Sequence, residues 1–159
     1  MKTANKRLFD SLGLAFWVVL TFSVAALASQ FEPGSWYTYI AKPTWTPPGW
    51  LFGPVWGVLY LSMSVSAWLV WRQRFKTGVT VPLTFYLAQL VLNGMWSWLF
   101  FGRQWIGLAF IDLIVLVITV AITTAMFLRV RKLAGYMLLP YLLWGSFAAA
   151  LNFQIWRMN

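Results

Sequence analysis

The stretch Trp105–Leu128, WIGLAFIDLIVLVITVAITTAMFL, holds one charged side chain, Asp112, and is followed at once by Arg129, Arg131 and Lys132. A helix rises about 1.5 Å per residue, so about 20 apolar residues cross a hydrocarbon core of roughly 30 Å. The segment therefore reads as a membrane span and the cations behind it as its boundary. Working outward, segments of the same character occupy residues 9–29, 51–71, 80–101 and 134–156. The expected fold is an all-α membrane protein, five transmembrane helices in one bundle, with residues 1–159 forming a single domain. Pro140 is expected in the first turns of the last span, where a missing N–H costs least. Composition agrees: 61% of residues are hydrophobic and 9% charged, against about 25% charged in soluble domains.

The net charge of +9 could suggest a nucleic-acid partner, but its placement argues otherwise. Lys2, Lys6, Arg7, Arg72, Arg74, Lys76, Arg129, Arg131 and Lys132 fall on one side of a five-span topology. Lys42, Arg103 and Arg157 fall on the other. Such asymmetry predicts a cytoplasmic amino terminus and an outer carboxyl terminus in a bacterial inner membrane. The first span has a rival reading. Basic residues, an apolar run and Ala26-Leu27-Ala28-Ser29 resemble a signal peptide with its cleavage site. Retention as a span is the reading adopted; cleavage would leave four.

What is missing excludes whole classes of chemistry. Without Cys or His there is no disulfide, thiolate nucleophile, zinc–thiolate site or imidazole proton shuttle. The carboxylates are Asp10, Glu32 and Asp112, too scattered for paired acid–base catalysis or a hard-cation cage. Asp112 lies about 13 Å along a helix from Arg103, beyond an intrahelical pair. An intramembrane acid is a functional candidate by default, but a single acid with no basic or His neighbour in the other spans makes a proton relay thin, and a hydrogen-bonded structural role is the preferred reading.

The connection between the first two spans, residues 30–50, is long enough to expect a function. It carries Trp36, Tyr37, Tyr39, Trp45 and Trp50 among Pro33, Pro43, Pro47 and Pro48. Prolines lower the entropy cost of ordering, which favours a folded lid over the other possibility, an aromatic belt at the interface. Of the twelve tryptophans, Trp17, Trp68, Trp71, Trp105 and Trp156 suit belt positions. Trp56, Trp96, Trp98 and Trp144 lie deeper or face neighbouring helices. Trp56 and Tyr60 share a helix face, as do Gln89 and Asn93, with Trp96 one turn on. Trp144, Ala148 and Leu151 share another, with Asn152 beside it. Indole faces suit flat conjugated guests, and amides inside a membrane bond another helix or a ligand.

Here the residues carry a family resemblance. Trp36-Tyr37, then Lys42-Pro43-Thr44-Trp45-Thr46-Pro47-Pro48-Gly49-Trp50, resembles the loop signature of the translocator proteins (TspO/MBR), also called tryptophan-rich sensory proteins or peripheral benzodiazepine receptors. Pro54-Val55-Trp56-Gly57-Val58-Leu59-Tyr60, Gln89 to Asn93 with Trp96, Phe100-Phe101-Gly102, Asp112-Leu113, Pro140 to Trp144 and Leu151-Asn152-Phe153 follow in order. The resemblance implies a five-helix bundle, commonly a homodimer, whose cavity is closed by the loop and takes porphyrins such as protoporphyrin IX or haem. In some bacterial relatives it implies light-dependent porphyrin breakdown, carried onto Trp56 and Trp144 here. Trp36, Tyr37, Trp45, Trp50, Trp56, Tyr60, Gln89, Asn93, Trp96, Trp144, Ala148 and Leu151 are the expected ligand-binding residues. Leu108 stands where animal relatives carry Trp, and the basic carboxyl-terminal extension associated with sterol recognition is not expected.

No metal site and no obligatory cofactor are expected. A His or Cys axial ligand to haem is impossible in this chain, so porphyrin is expected as a guest held by burial and stacking. Three functions follow in order of preference. They are a porphyrin-binding receptor or sensor, a light-dependent porphyrin-degrading activity, and a transporter of porphyrin, sterol or another amphipathic solute. The expected partners are the tetrapyrrole, membrane lipid or sterol, and a second copy of the chain; nucleic acid is not expected.

Overall fold

The computed structural model describes residues 3–31 and 33–159, with side chains from Leu8 onward. Lys2 and Glu32, and the side chains of Lys6 and Arg7, lie outside the described residues. The elements are α1 (Thr3–Ala28), α2 (Ser35–Tyr39), α3 (Gly49–Trp71), α4 (Thr80–Ser97) with a π-helical turn at Trp98–Gly102, α5 (Ile106–Val130) and α6 (Lys132–Met158). There is no strand among the described residues. Four stretches are long and apolar enough to cross a membrane: Leu8–Ala28, Gly49–Trp71, Ile106–Val130 and Lys132–Met158. The shorter α4, which carries Gln89 and Asn93, is not among them.

The five long helices close a ring: α1 packs on α3, α3 on α6, α6 on α5, α5 on α4, and α4 back on α1. Lipid tails are as apolar as Leu, so helices in a membrane associate through close packing and interhelical hydrogen bonds. Both are visible. Ser62 and Ser66, one turn apart on α3, donate to the carbonyls of Met137 (2.7 Å) and Ala134 (2.6 Å) on α6. Thr21 on α1 bonds the Tyr86 hydroxyl on α4 at 2.7 Å. The buried centre is Met63, Val70, Tyr86, Leu90, Leu116, Phe127, Leu138 and Tyr141.

The α5–α6 hairpin turns on one residue, extended Arg131 (φ −155°, ψ 112°). Such a tight return brings Gly135 beneath α5. A Cβ there would lie 2.4 Å from Leu128 Cγ and 2.8 Å from the Leu128 backbone nitrogen. At the same end of the bundle, Asp10 on α1 pairs with Arg72 at 3.0 Å and its carbonyl accepts from Trp68 Nε1 at 2.9 Å.

Three expectations need revision. Pro140 stands well inside α6, which starts at Lys132, because α5 and α6 leave only Arg131 between them. Its missing N–H therefore falls in the helix interior, a position membrane helices tolerate when neighbours re-satisfy the backbone. Trp17 is buried in the core, 5% exposed and edge-on to Tyr86 at 5.6 Å, not at an interface. The expected third span is not α-helical to its end. It widens into the π turn, after which Gln104 takes φ 59° and redirects the chain into α5.

Candidate functional site

One end of the ring encloses a cavity of about 490 Å³, within the roughly 300–1,000 Å³ of small-molecule sites. Its floor is Tyr60 and Asn93, and its walls are Trp56 and Phe52 from α3, Trp96 from α4 and Phe100 from the π turn. Ala148, Leu151 and Asn152 of α6 supply a side of small and apolar surface. Trp96 stacks on Phe100 (5.4 Å, 27° between planes) and Trp56 leans on Tyr60 (5.4 Å, 30°). The π turn packs Phe100 and Phe101 against each other at 4.9 Å, and both rings line the cavity.

The polar groups of the site are held by other helices. Tyr60 donates its hydroxyl to Asn93 Oδ1, and Asn93 Nδ2 donates to the Tyr141 hydroxyl at 3.2 Å. Trp96 Nε1 donates to Asn152 Oδ1 at 3.0 Å, and Asn152 Nδ2 donates to the Ile106 carbonyl at 2.9 Å. Four helices are thereby cross-tied around the cavity. Asn93 keeps one N–H and an acceptor lone pair for a guest.

The connection after α1 is folded over this end. Phe31, Pro33, Tyr37, Lys42, Thr46 and Pro47 line the cavity from above. Tyr37 meets Phe100 and Phe101 edge-on at 6.1 and 5.6 Å, and Trp36 meets Phe100 at 5.8 Å. Burial pushes the Tyr37 hydroxyl above its ordinary pKa, so it stays neutral. Lys42 Nζ donates to the carbonyls of Tyr37 and Ile40, and Thr46 Oγ1 donates to the Pro43 carbonyl at 2.7 Å. The last residue of the sequence clasps the loop. Asn159 Oδ1 accepts from the Ala41 N–H and its Nδ2 donates to the Ala41 carbonyl, both at 3.0 Å.

Of the expected ligand-binding residues, Tyr37, Trp56, Tyr60, Asn93, Trp96, Ala148 and Leu151 line the cavity together. Trp36 packs behind Phe100. Trp45 lies half-exposed on Phe147, and Trp50 is 73% exposed. Gln89 is buried deeper in the bundle, and neither of its amide atoms has a hydrogen-bond partner among the described residues. Trp144 faces an outer groove between α3 and α6, with Pro54, Val58, Pro140 and Leu143. Phe52, 5.8 Å from the Trp144 ring, stands on the cavity side. Asp112 is buried without a hydrogen-bond partner among the described residues and away from the cavity lining. Sequence reasoning passed over Phe52, Phe100, Phe101 and Lys42 as wall residues. Lys42 was counted as a topological charge and, like Phe100 and Phe101, as part of a signature, and Phe52 was not singled out.

The chain is thus an integral membrane protein whose helices surround an aromatic chamber under a structured lid. Comparison with known proteins gives the class a family. The model of the TspO/MBR family matches residues 12–157, and the chain belongs to that family. It is 42% identical to the translocator protein of Homo sapiens over 138 residues, covering 84% of this chain and 82% of that protein. It is 40% identical to the tryptophan-rich protein TspO of Chlorobaculum tepidum over 152 residues, 93% of this chain and 96% of the relative. The tryptophan-rich sensory protein of Cereibacter sphaeroides is 36% identical over 135 residues, 85% of this chain and 84% of that one.

Proposed function

We propose that the protein is a membrane receptor or sensor for porphyrins, protoporphyrin IX or haem, taken into the chamber beneath the 30–50 loop. The observation that carries this is the chamber itself: about 490 Å³ walled by Trp56, Tyr60, Trp96 and Phe100. Offset or edge-on aromatic contacts contribute about 0.5–1.5 kcal/mol each beyond area burial, so a flat conjugated guest gains where a globular one does not. No axial ligand of His or Cys type exists to make haem a redox centre, and the donors present suit a guest held by packing. Membership of a family that includes a tryptophan-rich sensory protein supports the sensor reading.

In this reading α4 and its π turn complete a fifth span. The amino terminus is cytoplasmic, the chamber opens towards the less basic side, and the working unit is a homodimer. Light-dependent porphyrin breakdown is the second reading, and Trp56, in the chamber wall, is the residue placed to exchange an electron with an excited guest. Transport of porphyrin, sterol or another amphipathic solute ranks third. Asp112, the acid it would use, does not line the chamber. The test is a dark titration of purified protein with protoporphyrin IX followed by timed illumination. Saturable quenching of Trp fluorescence is expected. Porphyrin loss above a free-porphyrin control that disappears in Trp56→Phe, with binding retained, would establish the photochemical reading; absence of saturable binding would refute the receptor.

A further inference from the structure

Lys42 is the one charged side chain among the described residues that line the chamber. It is half-buried, its ammonium over the Tyr37 ring at 4.7 Å. Its hydrogen bonds go to two neutral acceptors, the carbonyls of Tyr37 and Ile40. An ammonium has three N–H donors, so one is left over. The only ion pair among the described residues, Arg72–Asp10, lies at the opposite end of the bundle. A partly buried cation satisfied only by neutral carbonyls is incompletely compensated, and burying a charge without a counter-charge is costly. The remaining polar side chains of the lining, among them Tyr37, Thr46, Tyr60, Asn93, Ser97 and Asn152, are neutral.

From this we infer that Lys42 is the specificity-determining residue of the chamber, selecting planar amphiphiles that carry a carboxylate and pairing with that group beneath the lid. The inference rests on the receptor reading above and adds the chemical class of its guest. An acid-bearing guest enters with its apolar face against Trp56 and Trp96 and its carboxylate at Lys42, whose two carbonyl bonds fix the ammonium at the rim. A guest of the same shape without the acid leaves the charge uncompensated. It also brings no anion that itself needs a partner. Charge-assisted hydrogen bonds are roughly twice as strong as neutral ones, so discrimination should be about tenfold or more.

The experiment compares protoporphyrin IX with its dimethyl ester, titrated in the dark into the full-length protein and into Lys42→Met and Lys42→Arg. The wild type should bind the diacid roughly tenfold more tightly than the ester. Lys42→Met should remove that gap by weakening the diacid while leaving the ester unchanged, and Lys42→Arg should keep it. Equal affinities in the wild type would overturn the inference and leave the receptor reading standing. So would a Lys42→Met variant that weakens both porphyrins alike, or loss of the gap in Lys42→Arg as well, since either assigns Lys42 to lid architecture alone. Binding of neither porphyrin by the wild type would overturn the receptor reading and this inference with it.

Discussion

Replacing Asn159 with Ala should loosen the lid while leaving the bundle intact. The Asn159 amide makes two reciprocal hydrogen bonds to Ala41, both 3.0 Å, across 118 residues of chain. Both are solvent-exposed, so each is taken at the low end of the net value of a hydrogen bond, about 0.5–1 kcal/mol. Their loss shifts the closed–open equilibrium by about 1–2 kcal/mol, or roughly 5- to 30-fold in the open population. The readout is amide hydrogen exchange at Ile40 and Thr46. Their N–H groups bond Trp36 and Pro43 within the lid and do not touch Asn159. Those two amides should exchange about 5- to 30-fold faster in Asn159→Ala, and a bound porphyrin should dissociate faster by a similar factor, with core amides such as Leu116 unchanged. Unaltered exchange at Ile40 and Thr46 would refute the reasoning. The lid would then be held by Tyr37 on Phe100 and Phe101 and by Lys42, with the clasp contributing nothing.

Other outcomes follow from the same geometry. Gly135→Ala forces a Cβ to within 2.8 Å of a backbone nitrogen and should destabilise the α5–α6 hairpin by about 1–3 kcal/mol, read as a lowered melting temperature in detergent. Trp144→Phe should leave dark porphyrin affinity within about twofold of wild type, because its ring faces the outer α3–α6 groove; a tenfold loss would place the guest there instead. Asp112→Asn removes a carboxyl that has no hydrogen-bond partner among the described residues and should leave thermal stability the same or higher. Liposome uptake of porphyrin that collapses in Asp112→Asn and follows a pH gradient would favour the transport reading.

Much of the architecture is legible in the sequence, because hydrophobic length and the lack of charge are local properties that the bilayer makes decisive. What the sequence does not disclose depends on which way helices run relative to the cavity. Trp56 and Trp144 look equivalent by spacing, each on a face with other candidate residues. Side chains on a helix lean towards its N-terminus. The chamber lies at the N-terminal end of α3 and the C-terminal end of α6. Trp56 and Tyr60 therefore lean into it, whereas Trp144, one turn before Ala148, leans away towards the outer groove. The same rule accounts for Gln89, a turn before Asn93 on α4, which also ends at the chamber. Within the 30–50 connection the sequence shows no period that separates inner from outer residues, yet Tyr37, on the short α2, lines the chamber and Trp50, in the first turn of α3, stands exposed. The π turn is equally hidden. Trp98-Leu99-Phe100-Phe101-Gly102 reads as ordinary apolar helix, and only packing against the lid shows why its consecutive aromatics are used together.

The most direct test of the central claim, that the chamber under the lid is where the guest resides, is to fill it. Ala148 lines the chamber on α6, and Ala148→Phe places a ring where the guest would lie. A dark titration of wild type and Ala148→Phe with protoporphyrin IX, at matched thermal stability, should give saturable one-to-one quenching in the first and at least a tenfold loss of affinity in the second. Equal binding by both proteins would put the porphyrin outside the chamber and contradict the account.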